Sequence, residues 1–380
     1  MKVALFTDTY LPQINGVTNT LSNLIRYFET SGIDYKLFGP KYNTDLQDQN
    51  IERFHSIKFI LYPENRLAFP NKFRINSILS EFQPDIIHIM TEFTMGLAGL
   101  NYGKSHGIPT ISNYTTNFSQ YTDYYKINFL KQPLWHYLKW FHTRNDITLC
   151  PSEVVRRLLN SQGIYNTEIF SRGIDFKSFH PMNRNNQLRE RLGISDKIAF
   201  LFVGRVSCEK DLDILCRSYQ EILRIYKERA AMVITGDGPY LEKCRQIFPD
   251  GTIFTGFRKG KELAQIYASC DIFVFPSSTE TFGNVVLEAM ASGIPVIGAD
   301  AGGVGEIIEH GITGLKFAER NVGQLTKYMA ELIDNPDLRG RLGTNGREYS
   351  MMRSWDKICD GLVDHYDRIL SEKGRCSIGA

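Results

Sequence analysis

The residues best suited to handling a ligand rich in hydroxyls and phosphate are two acids and two cations. Glu280 and Glu288 lie in the stretch 273–297, FVFPSSTETFGNVVLEAMASGIPVI. It opens on an apolar run, 272–275, short and β-rich enough for a buried strand. Pro276-Ser277-Ser278 closes that run before a helical pattern starts near Asn284. A strand that empties into a helix leaves its loop at the carboxyl edge of a sheet, where open α/β folds bind ligands. Glu280 falls in that loop, where it could face hydroxyls. Glu288 falls one to two turns into the helix. Between them Phe282, Gly283 and Asn284 offer backbone N–H groups at a helix start, a ready anion site. Acids near a helix start also serve as plain dipole partners, so the spacing alone does not decide.

The cations are Arg205 and Lys210. A second apolar run, 198–203, ends in Gly204-Arg205-Val206-Ser207-Cys208-Glu209-Lys210. Five residues apart around one turn at a strand's end, both could reach one diphosphate. Asp211-Leu212-Asp213 has the spacing of a D-x-D metal site. It begins a helix directly after Lys210, where acids stabilise the amino-terminal dipole, so the structural reading is preferred and no metal or other cofactor is expected. Gly236-Asp237-Gly238-Pro239 is a tight turn onto a helix starting at Tyr240, with its proline suited to the first turn and its residues able to line a nucleotide pocket. Gly16, at the mouth of a helix predicted over 18–31, allows close approach of a phosphate or sugar; a simple turn glycine is the alternative. His88, at a strand end, reads as a satisfied histidine near the core.

These groups need a scaffold of alternating strands and helices. Strands are expected over 3–6, 35–38, 85–90, 110–113 and 147–150, with helices over 18–31, 76–82, 96–106, 132–144 and 152–162. After a polar stretch near 172–186 the alternation resumes. Strands are expected over 198–203, 231–235, 253–255, 272–275 and 296–297, and helices over 211–227, 240–247, 260–268 and 325–333. Gly302-Gly303-Val304-Gly305 reads as a loop, and a last helix over about 355–371 carries apolar residues at Ile358, Leu362, Tyr366 and Leu370. Strand and helix by turns means parallel sheets covered on both faces.

At 380 residues the chain calls for two domains, and 42% hydrophobic with 23% charged residues is a soluble globular composition. A net charge of +2 gives no footprint for nucleic acid. Seven cysteines without a C-x-x-C pair, and an amino terminus whose apolar run is cut by Asp8, point to reduced thiols in the cytoplasm. No apolar run approaches the ~20 residues of a membrane span. Residues 121–141, YTDYYKINFLKQPLWHYLKWF, mix aromatics with lysines. A helix buried against its sheet is the preferred reading; an interfacial patch at the cytosolic face of a membrane is the other.

Taken in order, the first glycine loop, R-G-I-D at 172–175, G-R-x-x-x-E-K at 204–210, G-D-G-P at 236–239, E-x7-E from Glu280 to Glu288 and the terminal helix from Trp355 resemble the retaining glycosyltransferases of family 4. The resemblance spans nearly the whole chain. It implies the GT-B fold, with two Rossmann-like doubly wound domains facing across a cleft. The first, on the acceptor side, covers 1–175 and is completed by a helix over 355–380 that crosses back to it; the donor-side domain covers 176–354. By the same resemblance Arg205 and Lys210 hold the donor's diphosphate and neutralise the leaving group. Glu280 and the Phe282-Gly283 backbone hold the transferred sugar, Glu288 accepts from the ribose hydroxyls, and Gly256 and Phe257 line the base. Asp8 and Thr115 belong to the acceptor or donor-sugar side. The pattern departs from the family at 113–118, where Thr115 stands for an expected histidine and Asn117 for an acid. The implied activity is transfer of a hexose, with retention, from a UDP-sugar or GDP-mannose to a glycan or glycolipid hydroxyl. A nucleotide-sugar 2-epimerase and a non-catalytic nucleotide-sugar binder remain as alternatives.

Overall fold

The alternation inside the first strand sets the layering of the amino-terminal half. In β1 (Lys2–Phe6) Val3 and Leu5 face one cluster and Ala4 and Phe6 another, all four wholly buried. A strand apolar on both sides must be covered on both sides. The computed structural model describes residues 1–13, 15–42, 48–58, 66–115 and 131–378. They form two compact units, one running to Arg172 and resuming at Trp355, the other comprising Gly173–Ser354.

The first unit is built on a seven-stranded sheet, β3-β2-β1-β6-β7-β8-β9, parallel throughout. Its other strands are β2 (Asp34–Pro40), β3 (Ile51–Phe54), β6 (Ile86–Ile89), β7 (Thr110–Asn113), β8 (Ile147–Cys150) and β9 (Thr167–Ile169), while β4 (Ser56–Lys58) and β5 (Arg66–Ala68) pair as a separate hairpin. One face is covered by the helix Gly16–Ser31 and by the last helix, Trp355–Ile378. The last helix is amphipathic, and Trp355, Cys359, Leu362, Tyr366 and Ile369, spaced by three and four, make its buried stripe. Tyr27 donates to Asp360 at 2.5 Å and Arg368 pairs with Glu168 at 2.7 Å, fixing that helix along its length. Helices Lys72–Phe82, Thr94–His106 and Lys131–His142 cover the other face.

The second unit carries a six-stranded parallel sheet, β12-β11-β10-β13-β14-β15. Its strands are β10 (Ile198–Val203), β11 (Ala230–Thr235), β12 (Ile253–Gly256), β13 (Ile272–Phe275), β14 (Val296–Ala299) and β15 (Leu315–Phe317). In each sheet the winding reverses once, between β1 and β6 in the first unit and between β10 and β13 in the second. Such a reversal opens a crevice at the carboxyl edge.

Three sequence expectations need correction. Residues 302–305 are not a loop but the start of a helix, Gly302–Ile307. The helix expected from Tyr240 starts at Leu241 with Tyr240 as its cap, so Pro239 precedes it instead of serving its first turn. The last helix runs past 371 to Ile378.

Candidate functional site

The reversal between β10 and β13 places two loops side by side, and the four charged candidates of the second unit stand on them or just behind. Gly204 leaves β10 with φ 157°. Arg205 follows half-buried, and a 3-10 turn, Cys208–Lys210, brings Lys210 back toward the second loop. There Lys210 Nζ donates to Glu280 Oε1 in an ion pair, with 12% and 21% of the two side chains exposed. Cation and acid, 70 positions apart in sequence, thus meet at one point.

Several contacts hold the two loops in register. Ser278 donates to Asp211 Oδ2 at 2.8 Å, Thr279 to the Glu209 carbonyl at 3.3 Å, and Ser277 reaches Glu280 Oε1 at 3.5 Å. Glu209, to which the sequence assigned no role, is 1% exposed and accepts from Ser207 Oγ at 2.5 Å, which pins the turn that aims Lys210. Asp211 is the N-cap residue of the helix Leu212–Tyr226, with Asp213 in its first turn, as the structural reading expected. It adopts φ 52°, makes no side-chain cap, and spends its carboxylate on Ser278 and on Arg320 at 3.5 Å. Burial pushes its pKa up. Asp213 accepts from Tyr240 Oη at 3.0 Å. Both acids of the D-x-D spacing therefore have protein partners, and no cluster of three metal-ligating side chains occurs among the described residues.

Glycines let neighbouring backbones touch. A Cβ at Gly236 (φ 144°) would stand 1.8 Å from the Gly204 carbonyl oxygen, and one at Gly238 would stand 2.3 Å from that of Val206. With Val206 N donating to Asp237 at 2.9 Å and Gly236 N to Gly256 at 3.0 Å, the loops after β10, β11 and β12 form one continuous floor. Phe257, just beyond Gly256, is 54% exposed at its rim. Gly302 and Gly303 do the same for the Glu280 loop. A Cβ on the first would lie 2.5 Å from the Glu280 oxygen, and Gly303 N donates to that oxygen at 2.8 Å. The Gly-Gly pair was the signal, missed in the sequence, that this helix start is pressed against the loop.

Gly283, at φ 103°, opens the helix Asn284–Ala291 with no side-chain cap, so the first N–H groups there are not met by a capping side chain. Phe282 is 6% exposed and packs in the core, and Asn284 Oδ1 is buried with no protein partner. Glu288 accepts from Tyr267 Oη at 2.8 Å. Burial raises its pKa to about 7, with the Tyr267 hydrogen bond pulling the other way. The floor, the ion pair and the uncapped helix start make a polar surface able to take phosphate and hydroxyls together.

The first unit's candidates behave differently. Asp8 is wholly buried at the β1–β6 reversal. Its carboxylate accepts from Thr91 Oγ1 at 2.7 Å, Thr94 Oγ1 at 3.0 Å and Met95 N at 2.9 Å, and burial raises its pKa to about 6. These three contacts tie it to the loop between β6 and the helix Thr94–His106. Gly16 is the first residue of its helix, behind the cap Asn15, with open space where a Cβ would go. Thr115 is half-buried just past β7, while Asn117 and residues 116–130 lie outside the described residues. His88 is fully buried between Tyr366 Oη at 2.5 Å and Asn113 Oδ1 at 3.0 Å, and burial lowers its pKa to about 4. Of the aromatic segment, Trp135, Leu138 and Phe141 pack inward and Trp140 is 40% exposed.

Comparison with known proteins agrees along the whole length. Residues 14–178 match the family model described as Glycosyltransferase Family 4, and residues 184–349 match that described as Glycosyl transferases group 1. A GDP-mannose-dependent alpha-mannosyltransferase of Mycobacterium tuberculosis is 32% identical, over 97% of this chain and 97% of that protein. Sulfoquinovosyl transferase SQD2 of Arabidopsis thaliana is 31% identical over 93% of this chain and 71% of its own. Among solved structures, Anabaena HepE in complex with UDP superposes with a TM-score of 0.78 at 18% identity, covering 97% of this chain and all of that one, a likeness of fold. The chain belongs to the family 4 glycosyltransferases, with two Rossmann-like units of the GT-B fold.

Proposed function

We propose that the second unit binds a nucleoside diphosphate hexose and that the enzyme transfers the hexose, with retention, to a hydroxyl of a lipid or glycolipid acceptor. The observation that carries this is the meeting of Lys210 with Glu280 at the β10–β13 crevice, one residue suited to a diphosphate and the other to sugar hydroxyls. Arg205 and Lys210 stabilise the negative charge that grows on the leaving diphosphate. Glu280 and the N–H groups at Gly283 and Asn284 hold the sugar, Glu288 accepts from the ribose, and Gly236, Gly256 and Phe257 form the floor beneath the base. The acceptor hydroxyl gives its proton to a donor phosphate oxygen as the new glycosidic bond forms and the sugar–phosphate bond breaks. The positive charge comes from side chains, so turnover persists in EDTA.

The acceptor class rests on relatives named for lipid products, among them the alpha-monoglucosyldiacylglycerol synthase of Streptococcus pneumoniae, 30% identical over 89% of this chain. Reaching such an acceptor requires peripheral contact with the cytosolic face of a membrane. No helix among the described residues is long and apolar enough to span one. GDP-mannose is the first donor to try, given the mannosyltransferases of Mycobacterium tuberculosis and Corynebacterium glutamicum at 32% and 30% identity.

The test is a thermal-shift panel of GDP-mannose, UDP-glucose and UDP-galactose, followed by turnover with diacylglycerol and phosphatidylinositol vesicles. A donor at about 100 times its Kd adds ~2.7 kcal/mol. Release of nucleotide only in the presence of acceptor, with an α-linked product by NMR, is the expected result. Nucleotide release or sugar isomerisation without acceptor would instead indicate the 2-epimerase reading, and binding without turnover the non-catalytic one.

A further inference from the structure

We infer that Glu280 is an internal counter-anion for Lys210, and that their contact makes the site favour a sugar-bearing nucleotide over the bare nucleoside diphosphate left after transfer. The inference rests on the donor-site reading above. With only 12% and 21% of the two side chains exposed, the ion pair is partly withdrawn from water and weakly screened. The loop bearing Glu280 is fixed at three points: Gly303 N on its carbonyl at 2.8 Å, Ser278 on Asp211 and Thr279 on the Glu209 carbonyl. Glu280 therefore answers a ligand with its side chain, not with its backbone.

A diphosphate arriving at Lys210 meets a carboxylate already seated there. Two anions on one ammonium repel, so the carboxylate either stays at an electrostatic cost or swings off. Once off, it is a largely buried carboxylate without its cation, and Ser277 Oγ, at 3.5 Å, is only a weak donor to it. The hydroxyls of a donor sugar supply the donors it lacks; a bare diphosphate does not. Sugar and diphosphate thus assist each other's binding. When the sugar has left for the acceptor, Glu280 returns to Lys210 and loosens the product nucleotide.

The measurement is calorimetric binding of GDP, UDP, GDP-mannose and UDP-glucose to the wild type, Glu280→Gln, Lys210→Ala and the double variant, with product inhibition in parallel. Glutamine keeps the shape and removes the charge. For the base that the wild type selects, Glu280→Gln should bind the diphosphate about fivefold more tightly, the scale of a partly exposed ion pair. The nucleotide sugar should bind no more tightly than before. The ratio between the two ligands then shrinks, product inhibition strengthens by the same factor, and the gain vanishes in the Lys210→Ala background. An unchanged or weakened diphosphate affinity in Glu280→Gln, with Lys210→Ala still weakening it, overturns the inference and leaves the pair as scaffold. If Lys210→Ala also binds every nucleotide like the wild type, the donor-site reading itself falls, and the inference with it.

Discussion

The two units reverse their winding at equivalent places and fill the resulting crevices in opposite ways. Between β1 and β6 the acid is taken up by its own surroundings. Asp8 N donates to Thr91 Oγ1 at 2.7 Å, the Thr91 hydroxyl returns to the Asp8 carboxylate, and Thr94 and Met95 complete the shell at 0% exposure of the acid. Between β10 and β13 the hydrogen bonds run along the sides, and the centre holds a cation and an acid that partly face outward. A Rossmann-like half can therefore use its switch point as a structural knot or, on the function proposed above, as a ligand seat. Which it does depends on whether the polar groups there satisfy one another or leave capacity over.

The sharpest way to break the contrast is to spoil the floor of the seat. Gly236→Ala puts a Cβ at 1.8 Å from a backbone oxygen, at a φ that L-residues rarely adopt. It should destabilise the second unit by about 3 kcal/mol or more. Gly16→Ala, in open space on a helix of the first unit, should cost nothing and can add up to about 1 kcal/mol of stability. Urea unfolding of the two variants checks both; equal midpoints would mean the loops after β10 and β11 are not in the contact described.

Removing charge from the seat comes next. Lys210→Ala and Arg205→Ala should each lower kcat/KM roughly a hundredfold with the circular dichroism spectrum intact, the scale of a lost transition-state contact. Wild-type rates in both would end the assignment. The corresponding change in the first unit's knot should act on stability instead. Asp8→Ala leaves two hydroxyls and an N–H without their acceptor and should cost about 2 kcal/mol. If Asp8→Ala removed activity at unaltered stability, Asp8 would be a ligand contact after all.

This contrast was only half visible in the sequence. Strands β1, β10, β11 and β13 announce themselves because buried parallel strands are unbroken apolar runs; Arg205, Lys210 and Glu280 fall in the loops that follow β10 and β13, and Glu288 in the next helix. β3 was missed because Glu52 and Arg53 interrupt it, and the helix Pro336–Met351 because only two of its buried positions, Leu338, Leu342, Gly343, Gly346 and Ser350, are apolar side chains of any size. The partnerships were out of reach for a simpler reason. Asp8 meets Thr91 across 83 positions, Lys210 meets Glu280 across 70, and Glu288 meets Tyr267 across 21. Spacing within a motif reports which residues share an edge, not whether their charges will be spent on each other. The run Gly302-Gly303 was misread for the same cause, since glycine suits a loop by conformation and a helix start by the closeness of a neighbouring backbone.

The smallest effect expected is a pH dependence of nucleotide binding that arises in the second unit. Burial raises the Glu288 pKa from 4.5 to about 7, so without ligand its neutral form is favoured over much of the range where an exposed glutamate is ionised. Its contribution to stability is present below the unfolded value and is lost as pH rises through about 7. On the proposed ribose contact, hydroxyls donating to Glu288 prefer the carboxylate, so nucleotide binding expels the proton. Affinity should then rise with pH, by at most about tenfold per pH unit, and level off above about 7. Glu288→Gln should bind more weakly and lose the slope, while Asp8→Asn, a change in the first unit's knot, should leave it in place. Calorimetry of GDP or UDP binding in buffers of different ionisation enthalpy counts the proton directly. Fractional proton release near pH 7 that disappears in Glu288→Gln assigns it to this acid. Release that persists in the variant moves the titrating group elsewhere and removes Glu288 from the ribose contact.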